Sequence, residues 1–148
     1  TQVRLHQIFL SSSRGASISD IVLNTHDLES KNMFSIMKDL KTCLTGAKTK
    51  DMDLRPVIEY RVSEEKFIFQ LCEEIASLGI SQIVIGTGAI VDDIIDNIIL
   101  SKLIEQKIGL EVISCSPILC KDHYDMFLDA EISGIRVKSF RLLDNFVY

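Results

Sequence analysis

Strand-prone apolar strings at residues 20–24, 55–59, 82–86, 109–113 and 135–138 alternate with stretches whose apolar residues fall three and four apart. Such alternation builds βα units, in which each helix carries the chain back so that successive strands run parallel. The strings recur roughly every 25 to 37 residues, near the ~31 that an eight-unit barrel of ~250 residues allots to each unit. Five units are visible where closure takes eight. Sites on this architecture form at the carboxyl ends of several strands at once, so those ends are the place to seek functional residues.

The helical stretches can be read one by one. Residues 1–14 carry Val3, Leu5, Ile8 and Phe9 as a rough stripe ending at Gly15, and Met33, Ile36, Met37, Leu40 and Leu44 form the next, before Gly46. Ser63 is placed to cap a third helix, with Glu64 and Glu65 in the first turn where the dipole favours them. Its buried stripe is Phe67, Leu71, Ile75 and Leu78. Beyond Gly86-Thr87-Gly88, a helix capped near Asp92 is expected to turn Ile95, Ile98, Ile99 and Leu103 inward. A short helix over 121–130 follows, and 142–148 reads as the start of another. No low-complexity stretch or linker rich in glycine, proline or serine interrupts the series, so residues 1–148 are expected to form one domain.

Charge and composition narrow the function classes. Sixteen Lys plus Arg against 21 Asp plus Glu give a net charge of −5, which argues against nucleic-acid binding by phosphate neutralisation. The longest apolar string, 94–103, is broken by Asp96, Asn97, Ser101 and Lys102, so no membrane span is expected. The chain opens at Thr1 with neither a methionine nor a charged-then-apolar leader. Either a segment has been removed upstream or the chain belongs to a longer polypeptide. Cys43, Cys72, Cys115 and Cys120 lack the paired spacing of zinc or redox sites, and His6, His26 and His123 lie far apart. Reduced thiols, a cytoplasmic location, no metal and no cofactor are the expectation.

Side chains alternate along a strand, so if the apolar members face the helices, Asp20, Val22 and Asn24 point inward from the first strand, and Val57 and Glu59 from the second. On the last strand Ile135 and Val137 take the helix side, which sends Arg136 and Lys138 inward, with Glu111 in the corresponding place on the strand before. Three carboxylates and two cations would share one interior. They can serve as a polar site for a small anion, with Lys138 or Arg136 taking a phosphate, or as an ion network that pairs within itself and fixes packing. Thr87 and Gly88 can present backbone N–H groups to a phosphate or simply form a tight strand-to-helix turn. Asp92, Asp93 and Asp96 suit a helix start better than a metal, and Tyr124, Phe127 and Leu128 suit a core better than a binding box.

Four stretches resemble the deoxyribose-phosphate aldolase family, class I aldolases on a TIM (β/α)₈ barrel. Gly15-Ala16-Ser17-Ile18-Ser19-Asp20-Ile21-Val22-Leu23-Asn24 is similar to its Gly-Ala-Asp-Glu-(Ile/Val)-Asp-(Met/Val)-Val-(Ile/Phe)-Asn string. Pro56-Val57-Ile58-Glu59-Tyr60 is similar to its Val-Ile-(Ile/Leu)-Glu-Thr strand, and Ser63-Glu64-Glu65-Lys66 to the acidic helix start after it. Leu78 to Gly88 falls where the family reads Ala-Gly-Ala-Asp-Phe-Val-Lys-Thr-Ser-Thr-Gly, and Ile108-Gly109-Leu110-Glu111-Val112 where it reads Val-Gly-Val-Lys-Ala. The resemblance covers nearly the whole chain, beginning at what would be the third helix, with no string identical.

That resemblance implies the last five units of a barrel whose family forms a Schiff base on a lysine ending the sixth strand. A second lysine on the seventh strand lowers the pKa of the first, and an aspartate on the fourth relays protons. Asp20 keeps the aspartate position. The Schiff-base position is assigned to Ile85 and the helper to Glu111, so the amine that covalent catalysis needs is missing. The glycine pair after the seventh strand is replaced around Ser114-Cys115-Ser116-Pro117, while Ser139 falls near a family serine beside Lys138. The implied function is a pseudoenzyme that binds a phosphosugar or other small anion through Thr87, Gly88, Lys138 and Ser139, or that binds a protein. The competing readings are a working aldolase with Lys138 as substitute nucleophile, and a structural subunit of a larger assembly. A protein partner or the missing N-terminal units would complete the barrel.

Overall fold

The structure, a computed structural model, describes residues 2–90 and 93–137. Helices and strands alternate as α1 (Gln2–Ser13), β1 (Ile18–Val22), α2 (Thr25–Glu29), α3 (Met33–Lys48), β2 (Asp53–Ile58), a 3-10 turn (Tyr60–Val62), α4 (Glu65–Ser77), β3 (Gln82–Ile85), α5 (Ile94–Ile108), β4 (Glu111–Ser114), α6 (Lys121–Asp129) and β5 (Gly134–Ile135). The strands form one sheet in sequence order, β1-β2-β3-β4-β5. Every pairing is parallel. The α/β alternation of a partial barrel is therefore realised. Strand bounds move by up to three residues from those expected, because pairing rather than apolar content defines them. The first strand starts at Ile18, opposite Asp53, and stops before Asn24.

One face of the sheet packs on the helices. Ile21, Leu54, Ile58, Ile83, Ile85 and Val112 meet Leu40, Ile68, Leu71, Ile75 and Ile104 in a continuous core. Each fully buried residue of this size contributes about 1.5–3 kcal/mol by leaving water. A smaller cluster of Ile94, Ile118 and Phe127, with Ile135 and Val137 packed against it, holds the β5 end. Glu105 ties that end down, its Oε1 accepting from the backbone N–H of Val112 at 3.2 Å and of Ser133 at 3.0 Å.

Helix α5 departs from the expected face. Its buried residues are Ile94, Asn97, Leu100, Ser101 and Ile104, while Ile95 and Ile99 stand exposed. A stripe chosen by apolarity alone misses this, because two of the buried positions are polar and satisfied locally. The Asn97 carbonyl oxygen accepts from the hydroxyls of Ser114 and of Ser101, the latter at 3.3 Å. The helix ends on Gly109, whose left-handed backbone (φ 81°) lets its N–H close onto the Glu105 carbonyl at 3.1 Å. The expected serine cap on α4 does not form. Glu64 holds the cap position without a side-chain capping bond, its carboxylate pairing instead with Lys31 at 2.6 Å, and the Ser63 hydroxyl is buried with no partner among the described residues. At α5 the cap is Asp93, whose carboxylate accepts from Ile95 N–H at 2.9 Å.

Candidate functional site

The inner face, opposite the helices, carries Ile18, Asp20 and Val22 from β1, Arg55, Val57 and Glu59 from β2 and its end, Gln82 and Val84 from β3, and Glu111 and Ile113 from β4. Strand alternation and the separate cluster of Val57, Val84 and Cys115 define it. Its middle is dry and its edge is open: Val57 is 1% exposed and Val22 49%.

Across this face runs a chain of polar contacts. The Asp20 carboxylate accepts from Arg55 Nε at 2.7 Å and, through its other oxygen, from Arg136 Nη2. Arg55 Nη1 donates to Gln82 Oε1 at 2.7 Å, and Gln82 Nε2 donates to Glu111 Oε2 at 3.0 Å. Arg136 follows β5 and Asp20 lies on β1, so this ion pair spans the inner face from the first strand to the residue after the last. Burial lowers the Arg55 guanidinium pKa from its ordinary value. The trio of one carboxylate and two guanidiniums keeps one excess positive charge.

The second polar group sits at the carboxyl ends of β2 and β3. Glu59, buried at the end of β2, accepts the Thr87 backbone N–H at 3.1 Å and the Thr87 hydroxyl with the same Oε2. Thr87 Oγ1 in turn accepts from Ala89 N–H at 3.1 Å. Gly86 is held at φ 85°, and a Cβ there would run into the Cys115 carbonyl oxygen. Glycine is thus required both by the backbone and by the close approach of β4.

Several expected site residues fall elsewhere. Ile85 points into the helix-facing core, and its neighbour Val84 occupies the inner face. A one-residue offset along a strand reverses the face, and in β3 the polar Gln82 shares the parity of Val84, not of Ile85. Glu111 faces inward but bonds Gln82, two residues before Val84, and borders a cleft of about 250 Å³ at the amino ends of the strands with Ile18, Asp53 and Gly79. Asn24 lies past β1, where its side chain caps α2 by accepting from His26 N–H at 3.0 Å. The Thr87 N–H expected to greet a phosphate is donated to Glu59. Of the expected convergence, Arg136 with Asp20 is present, while Glu59 pairs with Thr87 and Glu111 with Gln82. Lys138 and Ser139 lie outside the described residues. Asp96 pairs with Arg61 at 3.1 Å, and among the described residues no group of His, Cys, Asp or Glu is arranged to hold a metal. Arg55 and Gln82 were not singled out from the sequence, although Arg55 shares the parity of Val57 and Glu59.

No family model matches this sequence, and no curated protein matches it. Solved structures do share its fold. An aldolase designated QR15 superposes with a TM-score of 0.75 at 17% identity, over 90% of this chain and 60% of its own. A protein of Coccidioides immitis assigned as a deoxyribose-phosphate aldolase gives 0.77 at 16% identity, over 95% of this chain and 56% of its own. The carboxyl transferase domain of Rhizobium etli pyruvate carboxylase gives 0.69 at 11%, over 90% and 23%. The neighbours thus include the aldolases that the sequence resembles, and what is shared at these identities is the fold. The chain spans little more than half the length of the two aldolases. No helix among the described residues is long and apolar enough to cross a membrane.

Proposed function

We propose that this chain supplies five βα units of an aldolase-type barrel whose strand-end site binds a small oxyanion, of the phosphosugar class, without forming an imine. The observation that carries the reading is the make-up of the inner face: among the described residues of the five strands it bears no lysine, and it bears two arginines converging on one carboxylate. An imine needs an amine that can be deprotonated, and a guanidinium is not one. A guanidinium is suited to a phosphate or carboxylate, which it can hold through two parallel bonds. An incoming oxyanion can take Arg136 while Arg55 keeps Asp20 neutralised. Competition with Asp20 makes the affinity weak, in the ~mM range, where binding is worth only about −4 kcal/mol.

Borohydride treatment in the presence of deoxyribose 5-phosphate tests the chemical half, and the expected result is an unchanged protein mass. A reduced adduct mapped to any lysine, Lys138 included, overturns the reading in favour of a working aldolase. Titration with ribose 5-phosphate tests the binding half, with the Arg136 side chain expected to respond in a resonance-resolved spectrum.

A second reading, a subunit completed by three further βα units from elsewhere, is favoured by the half-exposed Ile18 and Val22 on the inner face of the outermost strand β1. Open parallel edges with apolar side chains invite pairing. No response of Arg136 to the sugar phosphate would leave this reading in place of the first.

A further inference from the structure

The loop after β3 is built to hold an anion, and it already holds one that belongs to the protein. Thr87 aims two donors, its backbone N–H and its hydroxyl, at a single point. That point is Oε2 of Glu59. The seat is rigid on both sides. Gly86 is pinned against the Cys115 carbonyl and beside the Asn97 amide, and the Thr87 hydroxyl oxygen is fixed from behind by Ala89 N–H. Glu59 is itself buried where β2 ends, so its carboxylate is committed to the loop rather than to solvent. A phosphate or carboxylate oxygen entering this seat would need the same two donors, and one proton cannot serve two acceptors at full strength.

We propose that Glu59 is an internal anion closing the Thr87 seat, so that an external oxyanion engages this loop only when the Glu59 side chain withdraws. The inference rests on the oxyanion-binding reading above and adds its regulation: Arg136 is open to exchange, and the Thr87 seat is shut. It concerns occupancy of the donors rather than charge alone. Glutamine at this position keeps an acceptor oxygen on Thr87 and leaves the seat closed, whereas alanine empties it.

The test is a titration of the isotope-labelled chain with inorganic phosphate, following the Thr87 and Gly88 amides and the Arg136 side chain separately. In the wild type and in Glu59→Gln the Thr87 amide should stay still. In Glu59→Ala it should move saturably, at phosphate concentrations at least tenfold below any that move it in the wild type, and Thr87→Val in that background should lose the gain. Should Glu59→Ala fail to fold, judged by its melting curve, Glu59→Ser asks the same question with a side chain too short to reach. A Thr87 amide that never moves in the emptied variants overturns the proposal. An equal gain in Glu59→Gln and Glu59→Ala also overturns it, since repulsion and not occupancy would then be at work. In the emptied variants, a response at Arg136 without one at Thr87 spares the functional reading and sinks this one. A response at Thr87 without one at Arg136 does the reverse.

Discussion

Replacing Asp20 by alanine removes the one carboxylate among the described residues that joins the first strand to Arg136 just after the last. The variant leaves two guanidiniums facing each other, so the loss comprises two charge-assisted bonds and a new repulsion. Opposite charges about 4 Å apart attract by about 4 kcal/mol at an effective dielectric near 20, and by about 1 kcal/mol in water. The groups sit between those limits: the side chains are 30% exposed for Asp20, 18% for Arg55 and 33% for Arg136. Fully exposed pairs are worth about 0.2–1 kcal/mol and breaking a buried one costs about 3–5 kcal/mol, which puts Asp20→Ala at about 2 kcal/mol. With a urea slope of about 1–3 kcal/mol per molar, the unfolding midpoint should fall by roughly 1 M with the slope unchanged. Because water reaches part of the network, the difference should shrink when salt rises from about 0.1 M to 1 M and the screening length falls from ~10 Å to ~3 Å. Arg136→Met, which leaves Arg55 on Asp20, should cost less than Asp20→Ala. A midpoint for Asp20→Ala within ~0.2 M of the wild type, well inside the expected shift, would show that the sheet owes no stability to this ion pair and that the inner-face assignment is wrong.

Two further predictions concern the packed interior. Gly86→Ala adds a Cβ against the backbone carbonyl of Cys115 at a positive φ, two strains that neither strand can relieve, so it should destabilise by about 3 kcal/mol and lower the melting temperature by roughly 10 °C. A melting curve like the wild type's would refute the close approach. Burial pushes the Cys72 thiol up to about 12 from 9.0, while Cys120 is exposed. An aromatic disulfide reagent at pH 8 should therefore label Cys120 quickly and Cys72 only on unfolding. Since the folded pKa is the raised one, the thiol's contribution is intact below pH 9 and is lost as pH climbs towards 12, by roughly 1 kcal/mol per pH unit; stability that is flat over that range would contradict it.

Local order in this chain was written in its residue spacing. The parity of Ile135 and Val137 put these side chains on the helix face, and the same parity sent Arg136 the other way, where it meets Asp20. Apolar period and glycine turns act over a few neighbours, so a single pass along the chain reveals the five βα units. What spacing could not settle was which polar group answers which. Asn97 and Ser101 break the apolar stripe of α5, yet they are its buried face, because Ser114 on β4 comes within bonding reach only once β4 is laid beside β3. Glu59 ends opposite Thr87 rather than a cation for the same reason. Arg55 carried the right parity from the start, but its worth depends on Gln82 beside it and on Asp20 across the register. In β3 the Ile85 assignment lies one residue off the inner face: three of the four residues are apolar, and Gln82, the polar one, shares the parity of Val84. Pairing against β2 and β4 sets that face, since a strand's side-chain period of two gives alternation without origin, and the origin is set by the neighbours it packs against.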